Sequence, residues 1–336
     1  MKSKGIITVI VIVLLGISIL YFTTWKQSQK YSGPIEKVSI GISATSLLPS
    51  LVIIAKEKGY FLEEGIDIKI KGYSMGKKAL EATFKGEVDM CTVADMPVVT
   101  NSFKRNDFAV FGTILQGAQH AKCLARKDRK ISIPQDIVGK KVATSLGTTA
   151  HYFMATFFIF NGLDLGDVEI VDLNPTEMVK AIVEGNVDAI FTWEPNIYHA
   201  EKDLGDNGVI LPSDVGYLAT FNLVSKNDFI ENNQQLLKRI LKALIKAEEF
   251  IKDNREESID IIAAHLKTDS KIIDKLWDIY EFRVSLTQAF LITLEDEARW
   301  FIKNKLTSKT EVPNYLDYIY MDALEASKPK AIEIIH

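Results

Sequence analysis

From residue 37 onward, short runs in which apolar residues alternate with polar or small ones are interleaved with longer runs of helical spacing. Residues 37–42 (KVSIGI) and 67–70 (DIKI) read as strands, and residues 48–58 and 77–85 as helices that end at Gly59 and Gly86. A third strand is expected at residues 88–93. The order then recurs. Residues 141–144 read as a strand, 145–149 as a loop, 151–160 as a helix closed at Asn161-Gly162, 168–173 as a strand, 176–184 as a helix and 187–192 as a strand. Strands separated by helices of about ten residues predict parallel sheets with helices on their faces, an α/β protein. Beyond Asn233 the texture becomes helical. Leu237, Ile240, Leu241, Leu244, Ala247 and Ile251 fall on one helix face through residue 253, and amphipathic runs follow at 257–266, 271–280, 295–304 and 314–326. Their apolar stripes are read as core positions, with breaks at Pro313 and Pro329.

The recurrence is also literal. Gly86-Glu87-Val88-Asp89 returns as Gly185-Asn186-Val187-Asp188, an offset of 99 residues from Gly86 to Gly185 and from Asp89 to Asp188. At the same offset Ala82 matches Ala181, Asp95 falls opposite Glu194, and Leu124-Ala125-Arg126-Lys127 falls opposite Leu223-Val224-Ser225-Lys226. A phrase this short also arises by chance, but agreement at distant places points to two lobes on one plan with a ligand between them. Residues 36–126 and 222–336 are expected to form lobe 1 with the C-terminal helices, and 127–221 lobe 2. Residues 121–127 and 221–226 are candidates for strands that cross between them.

The start of the chain adds a compartment. Residues 6–22 (IITVIVIVLLGISILYF) carry no charge and lie between Lys2 and Lys4 on one side and Lys26 and Lys30 on the other. With Thr23, Thr24 and Trp25 the run reaches the roughly 20 residues that a helix needs to cross a bilayer. Tyr21 and Trp25 suit the headgroup zone. A cleaved signal peptide is the alternative, although the small-x-small triplet Gly16-Ile17-Ser18 lies inside the apolar run rather than after it. The expectation is a transmembrane anchor at residues 1–26, a polar tether at 27–35, and a body outside the cytoplasm. The flanking lysines nearly balance, so charge does not set the orientation.

Composition narrows the function classes. A chain of 336 residues with 47% hydrophobic and 25% charged residues is an ordinary folded protein with room for two moderate cores. A net charge of −4 without a basic stripe argues against nucleic acid as a partner. Cys91 and Cys123 are too few for a disulfide framework or a four-cysteine zinc site. They read as buried apolar positions, with a single bridge as the alternative in an oxidising compartment.

Two strand-to-helix loops carry the candidate chemistry. Ligands of open α/β sheets bind beyond the carboxyl ends of the strands, where a helix start offers unpaired N–H groups to an anion. In Ser43-Ala44-Thr45-Ser46 the candidate ligand residues are Ser43, Thr45 and Ser46. In Ser145-Leu146-Gly147-Thr148-Thr149 they are Gly147, which permits close backbone approach, with Thr148 and Thr149. Helix capping is the alternative use of these hydroxyls. The third strands end in Asp95 and in Trp193-Glu194-Pro195. Asp95 and Glu194 are candidates for holding an amine or guanidinium, with capping or a salt bridge as the alternative. Trp193 is a candidate cover for a flat or aliphatic ligand, or else a core residue. His151 falls on the first turn of the helix after Thr149. It and the other histidines (His120, His199, His265 and His336) have no metal-ligand spacing, and no H-E-x-x-H, G-x-S-x-G, Walker or G-x-G-x-x-G motif is present. No metal, cofactor or enzymatic activity is therefore expected.

The run Gly139-Lys140-Lys141-Val142-Ala143-Thr144-Ser145-Leu146-Gly147-Thr148-Thr149-Ala150-His151-Tyr152-Phe153 resembles the second-lobe signature of the nitrate/sulfonate/taurine family of ABC-transporter substrate-binding proteins. Asn161-Gly162-Leu163, Val168, Pro175-Thr176-Glu177-Met178, the Gly185–Asp188 phrase and Trp193-Glu194-Pro195 follow in that family's order. Gly59-Tyr60-Phe61 and Glu64-Gly65-Ile66-Asp67 resemble its first-lobe opening. The resemblance implies a type II periplasmic-binding fold, a monomer that captures a small solute by hinge closure, and delivery to a permease driven by an ATPase. Substrates in that family include sulfonates, taurine, nitrate and thiamine-pyrimidine precursors. The hydroxyl-rich helix starts suit an anionic head, and Asp95 and Glu194, if they face the cleft, favour a solute with an amine, as taurine has. The membrane-held start departs from the many relatives that are released or lipid-anchored. An extracytoplasmic sensor module and a fold-related enzyme are the competing readings.

Overall fold

The computed structural model describes residues 31–212 and 215–335. The anchor expected at residues 1–26 lies outside them, and among the described residues no helix is long and apolar enough to cross a membrane. The first half of the body runs β1 (Glu36–Ser43), α1 (Ser50–Glu57), α2 (Tyr60–Glu63), β2 (Ile66–Tyr73), α3 (Gly76–Phe84), β3 (Met90–Ala94), α4 (Asp95–Ser102), β4 (Phe108–Gly117) and β5 (Ala121–Arg126). It continues with β6 (Lys141–Thr144), α5 (Thr149–Phe160), β7 (Glu169–Asp172), α6 (Pro175–Glu184), β8 (Ala189–Trp193), α7 (Asn196–Leu204), β9 (Gly208–Ile210) and β10 (Ala219–Lys226). The helical part comprises α8 (Asn227–Asn232), α9 (Gln234–Asp253), α10 (Arg255–Leu266), α11 (Ser270–Trp277), α12 (Gln288–Lys303) and α13 (Asp322–Ser327).

Two 5-stranded sheets result, ordered β2-β1-β3-β10-β4 in lobe 1 and β7-β6-β8-β5-β9 in lobe 2. In each, the first three strands are parallel and the fourth is antiparallel to its neighbour. The orders are equivalent, as the repeat predicts. The matched strands β5 and β10 have changed places: β5 follows the first copy but pairs in lobe 2, and β10 follows the second copy but pairs in lobe 1.

This corrects the expected boundaries. Residues 121–126 were assigned to lobe 1 and 219–221 to lobe 2, yet each strand lies wholly in its destination sheet, hydrogen-bonded on both edges. The first crossing lies just before β5, where His120 O accepts the Glu194 amide at 2.9 Å.

The doubled phrase has a mechanical explanation. Gly86 and Gly185 sit at φ 74° and 77°, the left-handed conformation that ends a helix and that glycine adopts without a Cβ clash. Val88 and Val187 are buried. Asp89 Oδ2 accepts the Ser39 amide at 2.7 Å, and Asp188 Oδ2 accepts the Lys141 amide at 2.9 Å. In each lobe the aspartate thus pins the first strand of its copy, β1 or β6, beside the strand it precedes.

The helix α6 is closed at both ends by its sequence. Asn174 and Glu177 exchange side-chain-to-backbone bonds, each at 3.0 Å, Pro175 opens the helix and Gly185 ends it. The run at 314–326, by contrast, is not one helix. A 3-10 turn at Tyr315–Tyr318 buries two tyrosines, and Tyr320 N–H bonds to Val110 O at 2.8 Å before α13 begins. Backbone pairing with β4 thus interrupts the helical pattern. Cys91 and Cys123 are buried and free, one on β3 and the other on β5.

Gly117 closes β4 where the chain leaves lobe 1. A Cβ there would lie 2.8 Å from Ile279 O and 2.9 Å from the Tyr280 ring. Gly117→Ala is therefore expected to cost roughly 1–3 kcal/mol through forced backbone movement. Thermal unfolding checks this: Tm should fall by several degrees, and an unchanged Tm would contradict the close approach.

Candidate functional site

Three helix starts converge between the lobes. Lobe 1 supplies Ser43 at the end of β1, Leu48, the Met75-Gly76-Lys77 start of α3, and Ala94 and Pro97 at α4. Lobe 2 supplies Thr148, Thr149 and Trp193, while His120 on the first crossing and Phe221 on β10 complete the wall. The enclosed space is ≈ 30 Å³, room for roughly two waters. An organic solute gains access when the lobes part.

The backbone donors of these helices are left open because the side chains that could cap them are committed elsewhere or absent. Thr148 is the N-cap of α5, but its hydroxyl donates to Ser145 O at 2.7 Å, and Thr149 Oγ1 donates to Asp95 Oδ1 at 3.2 Å. Neither caps a first-turn N–H. At α3 the N-cap is Met75, whose thioether is only a weak acceptor and makes no cap bond. Both helices therefore turn unpaired amides and partial positive charge toward the cavity.

Lys77 adds a full charge and crosses the cleft to donate to Leu146 O at 3.1 Å, beside Gly147 (φ 67°). Trp193, 8% exposed, packs on Met75 of the opposite lobe and on Ala150. Its Nε1 is buried without a partner among the described residues. An indole N–H only donates, so this orphan group calls for an acceptor.

The carboxylates do not face the cavity. Asp95 is fully buried and accepts from Met96 N–H at 2.8 Å, Thr220 N–H at 2.8 Å, the Tyr217 hydroxyl at 2.8 Å and Thr149. Burial raises its pKa, against the opposing pull of the Thr220 N–H and the Tyr217 hydroxyl. Glu194 accepts from Lys122 Nζ at 2.6 Å and from Tyr198 N–H at 3.0 Å on α7. Neither matches the expectation of a carboxylate open to a solute amine.

The remaining candidates divide. Ser43 lines the cavity, while Ser46 is buried outside its wall, its hydroxyl without a partner among the described residues. Thr45 is exposed and lines a separate groove of ≈ 620 Å³ between the lobes, on the loop that precedes α1. His151 sits behind the loop: its Nδ1 accepts the Gly147 amide at 3.3 Å, and its ring meets Trp300 edge-on at 5.0 Å. Burial pushes it down to about 4, so it is a neutral support for the loop. Gly147 gives its amide to His151, and Lys77 holds the neighbouring Leu146 carbonyl.

The family described as NMT1/THI5 like matches residues 50–258, more than half of the chain. The chain belongs to this NMT1/THI5-like family. It is 28% identical over 249 residues to a Bacillus subtilis (strain 168) protein named for aliphatic sulfonate binding, covering 72% of this chain and 73% of that one. It is 26% identical over 209 residues to the taurine-binding periplasmic protein of Escherichia coli (strain K12), covering 61% of this chain and 63% of that protein, just under two thirds of its length. Among solved structures, the periplasmic aliphatic sulphonate binding protein SsuA of Escherichia coli superposes with a TM-score of 0.73 at 20% identity, over 86% of this chain and 93% of that one. The fold is thus the two-lobe α/β periplasmic-binding fold that the sequence resemblance implied.

Sequence reading missed Met75, Gly76, Lys77 and His120. A signal for the first three was present, because Met75-Gly76 falls 99 residues before Asn174-Pro175. The NMT1/THI5-like chain caps that helix start in lobe 2 with Asn174 and leaves its lobe 1 counterpart without a capping side chain.

His120 is buried and held down to about 4, chiefly by burial, so it folds neutral. A group whose folded pKa is depressed contributes stability above its unfolded value of 6.5 and loses it as pH falls toward 4. Relative to His120→Gln, the wild type should lose roughly 3 kcal/mol between pH 7 and pH 4. Denaturant unfolding of both proteins at the two pH values measures this, and a pH-independent gap would contradict it.

Proposed function

We propose that this protein is the extracytoplasmic solute-binding component of an ABC importer and that its solute is a small aliphatic sulfonate. The observation that carries the reading is the pair of uncapped helix starts, α3 and α5, on opposite lobes of one cavity whose indole donor, Trp193 Nε1, is also unpartnered. A sulfonate presents three acceptor oxygens in a tetrahedral array and no donor. Its oxygens suit the amides of Gly76, Lys77, Thr149 and Ala150, with Lys77 and Trp193 Nε1 as further donors. Leu48, Met75, Pro97 and Phe221 offer apolar surface to a short alkyl chain. Closure by hinge motion is favoured by as much as the solute binds the two-lobed seat better than either lobe alone. The names of the sulfonate- and taurine-binding relatives support this class of solute.

In this reading residues 6–22 hold the body at the membrane, near the permease. The preference for an amine-bearing solute has lost its basis, since Asp95 and Glu194 are bonded within the protein. An ammonium placed in the cavity would meet no carboxylate among the described lining residues and would face the Lys77 charge.

Titration calorimetry with ethanesulfonate, propanesulfonate, taurine and nitrate tests the assignment. The alkanesulfonates should bind, taurine about tenfold more weakly or worse for want of a carboxylate partner to its ammonium, and nitrate without measurable heat. Trp193→Phe should weaken sulfonate binding by about tenfold or more, the value of a charge-assisted hydrogen bond. Heat with nitrate alone, or tighter binding of taurine than of the alkanesulfonates, would overturn the reading.

A further inference from the structure

One step back from the cavity, three buried groups meet with too few protons. The Tyr217 hydroxyl oxygen lies 2.8 Å from Asp95 Oδ1 and 2.9 Å from Glu297 Oε1. A phenol has one hydrogen and donates to one carboxyl at a time. The second short contact needs a proton from a carboxyl group, and two ionised carboxylates so close would repel.

The surroundings say which group carries it. Asp95 accepts two backbone N–H bonds and the Thr149 hydroxyl, which stabilise its ionised form. Glu297 is fully buried on α12, and its Oε2 has no partner among the described residues. A charged carboxylate left in that position is costly, a neutral acid much less so. The charged groups acting on Glu297 are acidic, Asp95 and Asp296, and the other titratable groups facing it are Tyr217, Tyr152 and Tyr315. Burial first, and then the Asp95 charge, hold Glu297 well above the usual carboxylate range.

We propose that Glu297 carries a proton at neutral pH and that Glu297, Tyr217, Asp95 and Thr149 form one hydrogen-bond chain that fastens the first turn of α5 to lobe 1. Glu297 Oε1 donates to Tyr217, Tyr217 donates to Asp95, and Thr149 donates to Asp95 from across the cleft. Glu297 and Tyr217 are positioning residues: they touch no solute, yet they place the helix start that forms the lobe 2 wall of the site. The aromatic contacts beside the chain join the same two bodies. Tyr152 of α5 meets Tyr217 at 5.1 Å and Trp300 of α12 at 5.3 Å, both edge-on. This role does not depend on which solute is bound, so its test needs none.

Two measurements on the full chain decide it. Infrared spectroscopy at pH 7 should show a protonated-carboxyl C=O band that Glu297→Gln removes. The absence of that band, or its persistence in the variant, would overturn the proposal. Hydrogen exchange supplies the second readout. Tyr217→Phe breaks the chain and should speed exchange of the amides in residues 149–156 by about tenfold, while residues 66–73 of β2 stay at the wild-type rate. Glu297→Gln keeps a neutral donor in the same place and should leave both segments within about threefold of wild type. An unchanged α5 in Tyr217→Phe would overturn the positioning role, as would equal acceleration of both segments or equal release of α5 by Glu297→Gln.

Discussion

The site depends on a constraint common to every helix: the first-turn N–H groups have no partner inside the helix and must find one outside it. At α5 the two threonines that stand where caps belong give their hydrogens to Ser145 O and Asp95 instead. At α3 the capping position is a methionine. Both helices are aimed at one cavity, so the unmet demand for acceptors is concentrated there, reinforced by the Lys77 ammonium and the buried Trp193 N–H. The lobe 2 helix α6 shows the contrast, with its start sealed by Asn174 and Glu177. Caps are withheld from the two helices that open on the cavity and supplied to α6.

The same economy explains the acidic residues. Asp95 and Glu194 fall at equivalent places in the two lobes, and each uses its carboxylate as an internal fastener. Asp95 reaches the return crossing through Tyr217 and the opposite lobe through Thr149. Glu194 ties β5 to β8 through Lys122 and meets the first turn of α7 at Tyr198. Buried carboxylates of this kind must be fully bonded or protonated to be tolerated. Once bonded, they offer a solute nothing. No carboxylate is among the described residues that line the cavity, and the α5 turn with open amides is also bonded to lobe 1 through Thr149 and Asp95.

Much of this was legible in the chain. The 99-residue repeat predicted two equivalent lobes, and its Gly-x-Val-Asp phrase proved to be a helix stop followed by a strand lock. Thr148, Thr149 and Trp193, candidates read from hydroxyls and an aromatic at strand ends, line the cavity between the lobes. The use of Asp95 and Glu194 was not readable, because their partners Tyr217, Thr220 and Lys122 are distant in sequence and only the fold brings them together. Thr45 lies outside the cavity, on the loop before a helix that starts at Ser50 instead of 48. The exchange of β5 and β10 shifted the lobe boundaries by a few residues, since a crossing strand and a strand just past the crossing have the same pattern.

A crystal structure of the protein with bound ethanesulfonate would locate the seat of the anion. The sulfonate oxygens should lie within hydrogen-bond distance of the amides that open α3 and α5 and of Trp193 Nε1, with Asp95 and Glu194 keeping their present partners. A sulfonate bound outside this cavity, or seated in it with those helix starts and the indole unengaged, would contradict it.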